Sequence, residues 1–184
     1  MLQYWCYNDT GGGGMLYRKA YDKLLEWKNQ TKRKALCILG ARQIGKTTVI
    51  RQFGNDHYEC FVEINFITDV DAGKIFAGNL DANTIITNLT AYTRKPMLPG
   101  KTLVLLDEIQ ACPNARTAIK FLVEDSRFDY IESGSLLGVK HKEVRSYPVG
   151  FEEIYQMYPM DLLEFAWANG IAEDVIEHLR QCFE

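Results

Sequence analysis

The stretch "ALCILGARQIGKTT", residues 35–48, constrains this chain more than any other. A short apolar run leads directly into a Gly-x-x-x-x-Gly-Lys-Thr loop, and a helical pattern follows. Gly40 and Gly45 let the backbone curl so that successive N–H groups point inward, an anion nest completed by the N-terminus of the next helix. Lys46 adds a point charge suited to β and γ phosphates, and the Thr47 hydroxyl can complete Mg²⁺ coordination. The predicted nucleotide-binding set is Gly40, Ala41, Arg42, Gln43, Ile44, Gly45, Lys46, Thr47 and Thr48.

A second motif makes a chance glycine turn a poor explanation. "LVLLDEIQ" places Asp107 and Glu108 at the end of an apolar run, where unpaired carboxylates would be costly unless used. Asp107 is suited to holding Mg²⁺ through its water shell, with Thr47 as the other metal contact. Glu108 is suited to orienting and deprotonating an attacking water. In "ESGS", Ser133 and Ser135 are candidates to sense the γ phosphate, and Ser133 is favoured because it lies nearer the strand. Arginine commonly supplies transition-state charge. Of Arg42, Arg116 and Arg145, the last is preferred, in a loop before a predicted strand. The predicted catalytic set is therefore Glu108, Lys46, Ser133 and Arg145, while His57, His141 and His178 are scattered and read as surface residues.

Around these motifs the pattern alternates strands with helices, which predicts a layered α/β sandwich. Leu16, Ala20, Leu24 and Trp27 fall at helical spacing before the loop. The helix after the loop is expected to stop at about Gly54, a helix-ending residue type. "CFVEINF" from Cys60 to Phe66 reads as a strand, residues 67–94 as a partly helical crossover, and "KTLVLLDE" as a strand buried on both faces. "NARTAIKFLVED" reads as a helix, "FDYIESGS" as a fourth strand and "VGFEEIYQMYPM" as a fifth. Two helices should follow Pro159, with Ile171, Val175, Leu179 and Phe183 forming an apolar stripe that needs a packing partner.

With 184 residues, 47% of them hydrophobic, the chain can bury one proper core. A net charge of -3 gives no global pull toward nucleic acid, and the basic run from Lys28 to Lys34 reads as a solvated loop. Five cysteines without a C-x-x-C pair disfavour a disulfide framework or zinc site and fit a cytoplasmic protein. No apolar run is long enough for a membrane helix. The four glycines before Met15 read as a flexible or non-native extension over residues 1–14, with Met15 a candidate start. A core over residues 15–160 would then precede a truncated helical segment over 161–184.

The wording of "RKALCILGARQIGKTT", "INF", "PGKTLVLLDEIQACPNARTAIKFLVED", "YIESGSLLGV" and "SYPVGFEEIYQMYPMDLLEFAWANG" closely resembles a family of bacterial and archaeal AAA-type ATPases. The resemblance runs from about Leu16 to Gly170. It implies a P-loop NTPase three-layer sandwich of the additional-strand type, with a mainly parallel sheet and the start of a helical lid. It also implies ATP and Mg²⁺ as ligands. Family members commonly begin near the position of Met15 and continue into a C-terminal domain, sometimes suggested to be nuclease-like or DNA-binding, through which a protein or DNA partner could act. The expected reaction is hydrolysis of ATP to ADP and phosphate. The alternatives are a slow nucleotide-dependent switch or DNA-associated module, and a small P-loop kinase.

Overall fold

The structure, a computed structural model, describes residues 16–135 and 148–183. One inner strand, β3 (Thr102–Asp107), is buried at every residue. An unbroken apolar run of this kind is stable as a strand only when both faces are covered. In chain order the other strands are β1 (Ala35–Leu39), β2 (Cys60–Asn65), β4 (Asp129–Gly134) and β5 (Glu152–Gln156). They pair in the order β2-β3-β4-β1-β5, and every pairing is parallel. β4 therefore separates the loop strand β1 from the carboxylate strand β3, as the resemblance implied.

Alternation along β3 divides the core in two. Leu103 and Leu105 pack with α1 (Lys19–Lys28) and α2 (Lys46–His57) through Leu24, Trp27, Ile50 and Phe53. Val104 and Leu106 face the other layer, with α3 (Ala82–Thr93) and α4 (Pro113–Asp125) supplying Ile85, Leu89, Ala118 and Ile119. The result is the three-layer α/β sandwich. Local signals set the helix ends: Asp81 caps α3 by accepting from the Thr84 N–H, and Pro113 opens α4 where its missing N–H costs nothing. After β5 come α5 (Leu162–Ala168) and α6 (Glu173–Phe183).

Several sequence expectations need correction. The first helix begins at Lys19, and Leu16 lies before it, 47% exposed. α2 runs past Gly54 to His57. That glycine serves packing instead: a Cβ there would meet Phe61 Cδ2 of β2 at 2.4 Å. β2 ends at Asn65, although Phe66 is still buried beyond it, and β5 is shorter than the predicted run. On the last helix the stripe is shifted, because Ile176 is buried while Ile171 and Val175 are exposed; the side chains of Leu179 and Phe183 lie outside the described set.

Arg116 is not available as a transition-state arginine. It is 2% exposed under the α4 face of the sheet, where it donates to Glu132 of β4 at 2.9 Å and to both carboxylate oxygens of Glu152 in β5 at 3.0 and 2.8 Å. One guanidinium can neutralise only one of two carboxylates, and burial disfavours the second charge. Burial pushes Glu132 up to about 8 from 4.5, with Arg116 pulling it down and Glu152 raising it further. The folded carboxyl thus keeps its proton to a higher pH than the unfolded chain does, so stability falls as pH rises from 4.5 through about 8. We expect the urea midpoint of the parent to drop between about pH 6 and pH 8.5, and to drop less in Glu132→Gln. Equal drops in the two proteins would refute this account of Glu132.

Candidate nucleotide site

β1 delivers the chain to Gly40, and α2 begins at Lys46, so the intervening loop is held at both ends by regular structure. Its curl is achieved at two left-handed residues, Gln43 with φ 62 and Gly45 with φ 91. Gly45 suits that conformation, since it has no Cβ to clash. Gly40 is required by closeness instead: a Cβ there would come within 2.4 Å of the Met157 carbonyl oxygen, just past β5. Lys46 is 7% exposed and lies over the loop, donating to the carbonyls of Gly40 at 3.1 Å and Ala41 at 2.7 Å. Burial lowers its pKa, while Glu108 and Asp107 pull it back up. Arg42 in the loop and Thr48 in the first turn of α2 are exposed.

Asp107, 3% exposed at the end of β3, is the point where four elements meet. Its Oδ2 accepts from the Thr47 hydroxyl at 3.1 Å and from the Asn65 amide at 2.9 Å, and its Oδ1 accepts from the Ser133 hydroxyl. Hydroxyl and carboxylate oxygens are hard donors of the kind Mg²⁺ takes, so Thr47 and Asp107, already in contact, fit that ion. Ser133 is fully buried and Ser135 only half-buried, which separates the two serines that the sequence left close together.

Glu108 follows directly, half-buried and left-handed at φ 55, ψ 46. A non-glycine residue in that region costs on the order of 1 kcal/mol or more, and such outliers gather at functional sites. Its carboxylate accepts from the side-chain amide of Gln110. Asn65 and Gln110 were both missed by sequence reasoning. Asn65 stood on the polar side of an alternating strand, but only the parallel register, which pairs it with Asp107, gives that polarity a purpose. Gln110 carried no signal of its own beyond lying two residues from Glu108. Arg145 lies outside the described residues.

Beside the loop, on the α2 side, lies a cavity of about 310 Å³ lined by Leu16, Arg18, Gly45, Thr48, Val49, Gln52 and Met160. That size is at the lower end of ordinary ligand pockets, about 300–1,000 Å³. Its wall is apolar at Leu16, Val49 and Met160 and polar at Arg18, Thr48 and Gln52.

A parallel sheet with a glycine loop leaving one strand, and a buried aspartate at the end of the next strand but one, defines a P-loop nucleotide-binding protein. The chain belongs to the AAA domain family, whose profile, described as "AAA domain", matches residues 32–166. No curated protein is matched by the sequence. Among the described residues no helix is long and apolar enough to cross a membrane, and the four described cysteines are free thiols. Replacing Lys46 by alanine should leave the fold intact and weaken ATP binding by at least about 100-fold, since a charge-assisted contact in a dry site is worth roughly 3 kcal/mol. Calorimetry checks this, and an unchanged affinity would overturn the site assignment.

Proposed function

We propose that this chain binds ATP with Mg²⁺ and hydrolyses it to ADP and phosphate, and that turnover moves α5 and α6 as a lid. The observation that carries the reading is the direct contact between the loop hydroxyl of Thr47 and the carboxylate of Asp107, with Glu108 immediately beyond. In this reading the loop N–H groups from Ala41 to Thr48 and the Lys46 ammonium hold the phosphates, and the cavity beside the loop takes the base. Thr47 and Asp107 hold Mg²⁺, which when bound neutralises charge on the phosphate oxygens. Glu108 takes the proton from the attacking water, and Ser133, already against Asp107, is placed to register whether the γ phosphate is there. Arg145 supplies charge from outside the described residues. A cytosolic setting suits free thiols and a nucleotide substrate.

One observation favours a slower, switch-like variant of the same site. Glu108 accepts from Gln110 and sits in a strained backbone conformation, which restricts the positions its carboxylate can take toward an attacking water. A kinase is less favoured, because a carboxylate directly after the metal-holding aspartate is better suited to activating water than to receiving an acceptor group. Phosphate release from ATP and Mg²⁺ with no acceptor present distinguishes the three. We expect Glu108→Gln to bind ATP as the parent does and to release phosphate about 100-fold more slowly or worse. If parent and variant both bind ATP and neither releases phosphate above background, the switch reading replaces hydrolysis.

A further inference from the structure

One buried side chain outside the reacting groups touches three separate parts of the chain. Arg18 lies just before α1, in a segment given no role by the loop or carboxylate motifs. Its Nη1 donates to the carbonyl of Ile44 in the phosphate loop at 2.6 Å, and its Nη2 to the carbonyl of Tyr158 beyond β5 at 2.9 Å. Its Nε pairs with Glu164 of α5 at 3.2 Å. The two side chains are only 11% and 6% exposed. Glu164 is itself fixed twice more, by the Lys19 N–H at 2.8 Å and by the capping box it forms with Asp161 at the start of α5.

This arrangement differs from a surface ion pair, whose contribution is small. A planar fork of donors binds fixed acceptors in fixed directions. If Ile44 shifts as the loop closes on phosphates, the Arg18 fork must follow or lose a buried hydrogen bond. If it follows, Glu164 and the first turn of α5 are pulled with it. Arg18 also borders the cavity beside the loop, and its Nη1 lies 3.4 Å from where a Cβ on Gly45 would stand. It therefore contacts the loop through a backbone carbonyl while also forming part of the wall of the adjoining cavity.

We propose that Arg18 is a positioning residue that couples the phosphate loop to α5, so that filling the loop displaces the helices beyond β5. The proposal rests on the reading of the loop as a nucleotide site. It adds the route by which that site is felt at the C-terminal helices.

Trp167, on α5, provides the readout. Its ring meets Tyr17 edge-on at 5.5 Å and lies 5.8 Å from the Lys19 ammonium. The chain has three tryptophans; Trp27 is fully buried and hidden from a soluble quencher, and Trp5→Phe removes the third. Acrylamide quenching in that background then reports on Trp167. Adding a non-hydrolysable ATP analogue with Mg²⁺ should change the quenching. In the double variant Arg18→Met/Glu164→Gln the quenching change should be lost at an analogue concentration that calorimetry shows to saturate that variant. That pair leaves no unpartnered buried charge, and glutamine can keep the capping box. Arg18→Lys, which retains a charge but not the fork, should reduce the change and serves if the double variant unfolds. A full quenching change in either variant overturns the proposal, as does no change in the parent while calorimetry shows the analogue bound. If the analogue does not bind the parent at all, the nucleotide reading fails and this proposal falls with it.

Discussion

The rest of the structure depends on how one carboxylate is accommodated at the end of a strand that is apolar on both sides. β3 must lie inside the sheet with a helical layer on each face, because its side chains are apolar on both sides, and it ends at Asp107, 3% exposed. A carboxylate buried to that degree needs donors, since an unpaired charge there would cost several kcal/mol. Three arrive, each from a different element: Thr47 from the loop and α2, Asn65 from the end of β2, and Ser133 from the end of β4. Each is at the C-terminal end of its strand or the loop that follows, which is where parallel sheets gather polar groups. The sheet order and the site are thus one solution to one problem of burial.

The two faces of the sheet carry different burdens. The α1 and α2 face carries the loop, and its core is an apolar cluster that includes Trp27 and Phe53. The α4 face contains the buried Arg116, Glu132 and Glu152 cluster, which ties that helix to β4 and β5. Glu132 and Ser133 are neighbours on β4, pointing to opposite faces. Anything that moves β4 to suit the ion cluster moves the serine that touches Asp107. Replacing such a cluster with apolar residues often leaves stability unchanged or improved, so its presence does not by itself explain the fold's stability. Its geometric effect is to hold β4 and β5 against α4.

What was legible in the sequence follows the same division. The loop, the carboxylate strand and the α/β layering were readable because each is written in contiguous residues with a fixed period or spacing. Gly54 misled because a glycine in a helix can mark an end or a close packing contact, and only the position of Phe61 tells which. Arg116 misled for a related reason: arginine near a carboxylate motif can serve phosphates or bury a charge, and Glu132 and Glu152, its partners, are distant in sequence. Asn65, Gln110 and Arg18 were invisible as functional candidates because their meaning lies in which backbone or carboxylate they face after folding. That Ser133 lies nearer the strand than Ser135 was legible from position alone, since β4 ends at Gly134 and leaves Ser135 beyond it.

The loop itself is braced from behind more firmly than its phosphate-facing side requires. The Leu39 carbonyl accepts from the Met157 N–H at 2.7 Å, Gly40 is pressed under the Met157 carbonyl, and the Ile44 carbonyl is held by Arg18. The Leu39–Gly40 peptide is used on both sides, its N–H donating to the Gly134 carbonyl at 3.3 Å, so the loop is held at Gly40 and again at Ile44. A loop held at both points has less to reorganise when charge arrives, and preorganisation of that kind strengthens electrostatic binding in a dry site. The bracing residues after β5 belong to the same short segment that leads into α5. A loop made rigid in this way cannot absorb a ligand-induced shift internally, so any shift must pass to whatever braces it.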